Sequence, residues 1–541
     1  MTASPEQRRC RDRLSRRVTG LFGSDGLVRA PVESRVLESS LLLVLVDDLV
    51  PAHRARDRLA RYLKHTLDTA PPDGVQVAVA RAALDGGAAG AAGVDAELDR
   101  FGHFTAARKR LMFRTLLAAL GAVPWPQVSW DSYAARGEQS WLQVEMTALK
   151  AVAAHGRGCP ERITDAEWST LETVACGERI WEGNHLARLL ALLALRHHPV
   201  LRAAAVRGTE HTVRHLRADG GLPFITGMDV FTTALAGLAL TATGQTEHPV
   251  LEDAARALAA LQHDDGGFGF TRGVLQSDTD DTAYCLEFLR ACAPGRYAET
   301  VRRAEDFLLA QQNDDGGFPT FAHGVASERA MTAAAVNALA PSLRCRPALT
   351  YALRHLTDPD RLALPPESSW SRNTTNAVFR TVLACRAVGS PPGATVPLRE
   401  RMLGHLTAGR RGDGGYGHGG AEPSDPISTA YAAVALAHMP HGAPGAATAL
   451  RGAVDFLVAH QRPDGGFTSV PDQAGPRPLL YDAPALADVC VLLGLAHALD
   501  CVPSEPGGTP VPGGTGRTPG PGGTGRTPGP GGAGRTPGAA E

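Results

Sequence analysis

The sequence predicts an all-α protein, and three observations carry that expectation. Residues 14–215 are rich in Ala, Leu and Arg, with apolar residues recurring at helical spacing and no convincing two-residue alternation of a strand. From residue 219 an Asp-Gly-Gly turn recurs about every 50 residues in an Ala/Leu-rich background, the mark of paired helices stacked as repeats. After Val502 the composition shifts to Gly, Pro and Thr, which cannot bury apolar surface, so 503–541 is expected to be a disordered tail outside the fold.

The first half is punctuated by helix breakers at Pro71-Pro72, Gly86 to Gly93, Pro124 to Pro126 and Pro160. In the second half the turns stand at Asp219-Gly220-Gly221, Asp265-Gly266-Gly267, Asp315-Gly316-Gly317, Asp413-Gly414-Gly415 and Asp464-Gly465-Gly466. Successive turns lie 46, 50, 98 and 51 residues apart, which predicts one degenerate copy near residue 364. A helix ending in Gln or His leads into each regular turn, glycine supplies positive φ, and the following aromatic tucks back onto the helix ends. These turns are structural braces. Helical hairpins repeated with one turn chemistry build an α/α-barrel whose inner helices surround a central cavity.

Composition narrows the function. With 54 basic and 56 acidic residues the formal net charge is −2, which gives no reason to expect a nucleic-acid partner. Nine scattered cysteines without a Cys-x-x-Cys pair read as reduced thiols of a cytoplasmic protein. Residues 1–17 are basic and polar, unlike a signal peptide, and the longest apolar run, 41–46, is far short of a membrane span, so no stable membrane insertion is expected.

The most informative stretch is Asp278-Thr279-Asp280-Asp281-Thr282-Ala283. Three carboxylates within four positions repel one another, and partial desolvation would keep at least one protonated at neutral pH. Phe268 and Phe270 before it, and Leu286, Phe288 and Leu289 after it, argue that the site is shielded. The plain alternative is an acidic N-cap run in which Asp278 or Asp280 satisfies the first amides of a helix.

Taken with the repeated turns, this hexapeptide resembles the Asp-x-Asp-Asp-Thr-Ala signature of the class II terpene cyclases, the family of squalene-hopene cyclase and the bacterial diterpene and sesquiterpene diphosphate cyclases. The turns resemble the family's QW motifs: Gln262, Gln312 and Gln461 precede theirs, although Phe or Tyr replaces the closing Trp. The resemblance implies two α/α-barrel domains, called β and γ, with the active cavity between them. It assigns residues 1–19 to a helix of the β domain, 20–212 to the γ domain and 213–502 to the β domain carrying the acid. It further implies that Asp280 protonates an alkene, with Asp278 and Asp281 tuning and re-protonating it. The substrate would be a linear prenyl diphosphate of fifteen or twenty carbons, cyclised to a bicyclic diphosphate of drimane or labdane type.

A carbocation formed in this way is protected by apolar walls and aromatic faces. Trp370, Tyr284, Phe379, Tyr431, Phe231 and Trp181 are the lining candidates, although for any one buried aromatic ordinary core packing is the commoner role. Residues 368–373 stand out, since they fill the degenerate repeat with polar and aromatic groups. Relatives in this family carry an Asp-x-x-x-x-Glu element thought to hold Mg²⁺ for the diphosphate. Glu33 and Glu38 resemble it with Glu in the first place, and the alternative is a charged surface helix. Arg29, Arg35 and the run Arg108-Lys109-Arg110 are candidates to neutralise the diphosphate. The class I ionisation motif Asp-Asp-x-x-Asp is absent: Asp47-Asp48 is followed by Leu49-Val50-Pro51, so the diphosphate should survive. Two competing readings are a squalene-type triterpene cyclase, disfavoured by chain length and the lost Trp residues, and a prenyltransferase-like barrel. The latter needs a zinc site of Asp, Cys and His, for which Cys285 near Asp281 is the one pointer.

Overall fold

All five Asp-Gly-Gly turns share one hydrogen bond, from the N–H of the second glycine to the Asp carboxylate, and most add further bonds of one pattern. At Asp265 the carboxylate accepts from Gly267 N and Ser277 Oγ, both at 2.9 Å, while Gly266 adopts φ +90°. The buried Phe268 donates its N–H to Thr282 Oγ1 at 2.9 Å. Gln262 Nε2 donates to Gly266 O and to Thr300 O, both at 2.8 Å, tying its own turn to the next outer helix. Gln312 repeats this with Gly316 O and Ala348 O, and Gln461 with Gly465 O and Cys10 O, all at 2.9 Å. The sequence-level reading of these turns as braces therefore acquires a specific form: one side-chain amide bridges a carbonyl of its own turn and a carbonyl of the neighbouring outer helix.

The computed structural model describes residues 3–86, 94–95, 104–293, 295–363, 365–366, 369–388, 395–419, 422–440 and 442–501. The tail at 503–541 and part of the degenerate repeat near residue 364 lie outside them. The described residues are overwhelmingly helical, as expected, with one two-residue strand pair, β1 (Ser34–Arg35) antiparallel to β2 (Leu222–Pro223).

The second half closes into a ring. Its inner helices are α10 (Asp229–Ala242), α12 (Thr279–Cys292), α14 (Arg329–Leu339), α16 (Thr374–Ala387), α18 (Pro426–Ala437) and α20 (Ala485–Cys501), each packed on the next, with α20 returning to α10. Outside them run α11 (Pro249–Ala259), α13 (Ala298–Gln311), α15 (Arg346–Thr357), α17 (Val396–Gly409) and α19 (Ala446–Ala459). The N-terminal helix α1 (Pro5–Thr19) packs on α20, α19 and α10 and fills the remaining outer position. Ser4 starts it with a reciprocal capping box to Gln7.

In the first half, α2 (Val36–Leu49), α4 (Gly74–Asp85), α5 (Ala106–Ala119), α6 (Ser140–Gly156) and α8 (His185–Leu195) pack in sequence, and α8 meets α2. Helices α3 (Ala55–Thr69), α7 (Asp165–Cys176) and α9 (Arg202–Thr212) lie outside. Inner helices such as α8 are buried on every side, which explains why their sequences are apolar throughout rather than along one stripe. Among the described residues no helix is long and apolar enough to cross a membrane.

The turn geometry yields a direct test. A Cβ at Gly266 would stand 2.4 Å from Arg303 O in a left-handed backbone, whereas a Cβ at Gly404 in α17 meets nothing within 4 Å. Gly266→Ala should cost about 2 kcal/mol or more, and Gly404→Ala should be neutral or slightly stabilising, as read from denaturant unfolding midpoints.

Candidate active site

Helix α12 begins at the acidic triplet, and its N-cap is Asp278, whose carboxylate accepts from Asp281 N at 2.8 Å. The capping alternative is thus correct for Asp278, and it coexists with a site. Asp278 and Asp281 are almost wholly buried, and Asp280 on the same first turn lines a cavity with both of them. Burial pushes the Asp278 carboxyl up to about 7. Burial also drives Asp281 well above the ordinary carboxylate range, reinforced by the charge of Asp278 and the hydrogen bond between the two. This pair therefore retains a proton at neutral pH.

Asp280 is held differently. Arg380, from α16 across the ring, donates Nη1–H to Asp280 Oδ1 at 2.5 Å and Nη2–H to Tyr284 Oη at 2.8 Å. Its guanidinium carbon lies 4.7 Å from the Tyr284 ring centroid. Sequence reasoning missed Arg380, although a lone cation inside Ala377-Val378-Phe379-Arg380-Thr381-Val382 was a usable signal, because a buried charge must have a partner.

The cavity in front of the triplet lies between the two helical halves. Trp141 and Asn184 come from the first half, and Phe231, Phe270, Phe321, Trp370, Gln473 and Tyr481 from the second. Trp141 meets Phe321 edge-on at 4.4 Å between centroids, and Phe321 meets Trp370 at 5.4 Å. The first half also grips the segment leading into the acid: Glu182, at an unusual φ of +48°, accepts from Leu275 N and Gln276 N, and Gln276 Oε1 accepts from Ser140 N. Trp370 is anchored by a zipped pair of loops, in which Ser371 and Asn373 both donate to Asp472 Oδ1 and Ala474 N donates to Trp370 O.

A second cavity shares Trp141, Phe224, Phe321 and Trp370 with the first. Its far wall carries Arg108, Lys109 and Arg477 together with Glu138, Glu145 and Glu328. Arg108 pairs with Glu138 at 2.5 Å and Arg477 with Glu328 at 3.1 Å. Burial lowers Lys109 and raises Glu145, and each charge partly offsets the other's loss of solvation.

The chain has known relatives. No family model matches the chain. It is 53% identical to a drimenyl diphosphate synthase of Streptantibioticus cattleyicolor over 510 residues, 91% of this chain and 94% of that protein. It is likewise 53% identical to a drimenyl diphosphate synthase of Streptomyces showdoensis over 506 residues, with the same shares. The chain belongs to the class II terpene cyclases. Their fold is seen in the ent-copalyl diphosphate synthase from Streptomyces platensis, 18% identical, with a TM-score of 0.56 covering 92% of this chain and all of that one.

Within this cyclase the sequence-derived lining candidates separate into groups. Trp370 and Phe231 line the front cavity. Tyr284 and Phe379 lie behind Arg380 and line a different space, and Tyr431 is stacked on Phe379 at 4.8 Å in the buried core. Trp181 is half-buried on the turn that presents Glu182. Of the cations, Arg108 and Lys109 reach the second cavity, Arg110 is half-buried outside its lining, and Arg29 is exposed against Asp25. Trp141, Phe224, Phe270, Phe321, Tyr481 and Arg477 are wall residues that periodicity alone could not separate from core.

Glu33 and Glu38 stand in different surroundings. Glu38 is fully buried with both carboxylate oxygens on Arg35, one of them at 2.7 Å from Arg35 Nε, whereas Glu33 is exposed. Among the described residues no group of three or more His, Cys, Asp or Glu side chains is placed to hold a metal. Cys285 is buried beside Asp281 with its thiol pushed well up by burial, the opposite of a metal-bound thiolate.

Two outcomes are expected. Glu38→Ala should destabilise the fold by about 3 kcal/mol or more, because it leaves the buried Arg35 unpaired, and should leave the Mg²⁺ dependence of turnover unchanged; a Mg²⁺ titration of the folded variant checks this. The second concerns pH. Because the Asp278 carboxyl is raised from 3.8 to about 7, the folded state binds more protons than the unfolded state between those values. The stabilisation it gives is complete below about pH 4 and is lost as pH rises through about 7. Asp278→Asn, which keeps the cap acceptor, should flatten the fall in melting temperature between pH 5 and pH 8.

Proposed function

We propose that this class II terpene cyclase converts farnesyl diphosphate to a bicyclic drimane-type diphosphate, with Asp280 as the proton donor. The supporting observation is the arrangement of two connected walls. An acidic triplet stands at one end and three cations interleaved with three glutamates at the other, joined by Trp141, Phe224, Phe321 and Trp370. A linear prenyl diphosphate has the matching polarity: an alkene at one end, a polyanion at the other and apolar chain between. The two relatives named drimenyl diphosphate synthases, at 53% identity, favour the fifteen-carbon substrate over the twenty-carbon one and over squalene.

Asp280 transfers its proton to the terminal alkene carbon from the carboxyl oxygen that Arg380 does not hold. The carboxylate left behind is stabilised by the Arg380 ion pair, which a solvated carboxylate would lack. Asp278 and Asp281 keep a proton beside it and exclude water from the turn. The cation then moves along the chain as each ring closes, and the faces of Phe231, Phe321, Trp141 and Trp370 stabilise it without supplying a nucleophile. Arg108, Lys109 and Arg477 bind the diphosphate, with Arg477 Cζ 5.4 Å from the Trp370 ring centroid. Any Mg²⁺ would have to be held chiefly by the diphosphate oxygens, and no step is assigned to it. The free thiols among the described cysteines accord with action in the cytoplasm.

Asp280→Asn should lower kcat by about 10³-fold or more with little change in melting temperature, measured with farnesyl diphosphate and phosphatase treatment of the product. In D₂O the wild-type product should carry deuterium at the protonated carbon and yield its alcohol only after phosphatase. Diphosphate released in step with cyclisation, or a product without solvent deuterium, overturns the reading.

A further inference from the structure

The front cavity and the second cavity meet at a neck, since Trp141, Phe224, Phe321 and Trp370 line both of them. Beyond this neck the wall turns polar at once. The guanidinium carbon of Arg477 lies 5.4 Å from the Trp370 ring centroid, so a cation stands directly on one of the neck rings. Glu145, one helical turn after Trp141 on the same face of α6, already lines the second cavity. A diphosphate held by these cations therefore begins at the neck, and its hydrocarbon has to lie between the neck and the acidic triplet.

Two of the four rings are fixed from behind. Phe224 carries the Arg35 guanidinium at 4.3 Å from its centroid, and its carbonyl accepts from His185 N at 3.0 Å. Trp370 O accepts from Ala474 N at 2.8 Å. The next residue, Gly475, fits against both rings: a Cβ there would stand 2.8 Å from Phe224 Cε1 and 3.3 Å from Trp370 Cζ3. Neither ring can retreat in that direction, because close-packed atoms leave no slack. Trp141 comes from the other half of the chain and completes the neck. Its buried indole stands edge-on to Phe321 at 4.4 Å and to Phe270 at 6.4 Å between centroids, and Phe321 in turn meets Trp370.

In a drimane-type bicycle the carbon bearing the diphosphate is attached directly to the ring system, so rings and head group are adjacent, as the neck requires. The twenty-carbon homologue has a further five-carbon unit between its bicycle and its diphosphate. With the terminal alkene at Asp280 and the diphosphate on Arg477, that unit has to bulge at the neck, where the Trp141 indole stands. If the indole stays, one end of the substrate must leave its place, and an alkene displaced from the acid is not protonated. We infer that Trp141, closed against Phe321, is the residue that restricts this cyclase to a fifteen-carbon diphosphate, and that a smaller side chain there admits the twenty-carbon one. The indole acts by occupying the volume the longer chain needs.

This restriction rests on the proposed function, and it is tested as a ratio. Wild type, Trp141→Phe, Trp141→Leu and Phe321→Leu are each assayed with farnesyl and with geranylgeranyl diphosphate; kcat/KM is taken for both, and products are identified after phosphatase treatment. Because Trp141 and Phe321 also face the cation, turnover of farnesyl diphosphate should fall in every variant. The ratio of twenty- to fifteen-carbon kcat/KM should nevertheless rise about a hundredfold in Trp141→Leu. It should rise less in Trp141→Phe and in the same direction in Phe321→Leu, with a bicyclic twenty-carbon diphosphate as the new product. Phe231 lines the front cavity and packs edge-on to Tyr284 at 5.3 Å, so Phe231→Leu should leave the ratio as in wild type. A wild-type ratio near one, an unchanged ratio in the Trp141 and Phe321 variants that keep the wild-type melting transition, or an equal rise in Phe231→Leu overturns the inference. If wild type forms a cyclised diphosphate from neither substrate, it is the proposed function that fails.

Discussion

Burying three carboxylates on one helical turn is the constraint on which the rest of this molecule depends. Carboxylates taken out of water are costly unless they are protonated, hydrogen-bonded or paired, and the structure uses all three remedies within four residues. Asp281 and Asp278 keep a proton between them, Asp278 accepts from the helix amide, and Asp280 takes Arg380. The last of these requires a partner 100 positions away in the chain, brought there only because the inner helices close into a ring. Closure of the ring is therefore the event that makes the acid tolerable.

Comparison of the repeats divides the acidic signature into two layers. Thr282 accepts from Phe268 N, and Thr332 and Thr429 accept from Phe318 N and Tyr416 N at the same place in their own repeats, all at 2.9 Å. Four residues earlier, Asp278, Glu328 and Asp425 donate their N–H groups to Phe268 O, Phe318 O and Tyr416 O. Asp278 and Thr282 are thus the framework of every such helix start. The positions between them differ: Asp280 and Asp281 are matched by Ala330 and Met331 in α14 and by Ile427 and Ser428 in α18. The chemistry sits in two substitutions on a repeated scaffold.

The same division explains what could be read in the sequence. The turns, their Gln braces and the acid triplet are local patterns, and each is where the sequence locates it. Arg380, Arg477 and the Trp141–Phe321–Trp370 wall are assembled from distant helices and loops, so no spacing rule reaches them; only Arg380 left a trace, as a charge in an apolar helix. Glu33 and Glu38 are paired by spacing and separated by the fold. Their spacing suggested a pair, but the two-residue strand β1 stands Glu33 outside the wall while α2 carries Glu38 inward to Arg35.

The bond from Gln461 Nε2 to Cys10 O joins residues 451 positions apart, and through it α1 completes the outer layer of the ring. A chain emerging from the ribosome holds this first helix without its site until α19 and α20 are made. Until then α1, with its buried face of Cys10, Leu14 and Val18, must be kept from other apolar surfaces. Loop closure over such a distance is slow compared with local helix formation, so the ring should be sealed late, by the two ends of the folded part meeting. The protein is thus laid out so that a helix made long before its partners is the last to find its place.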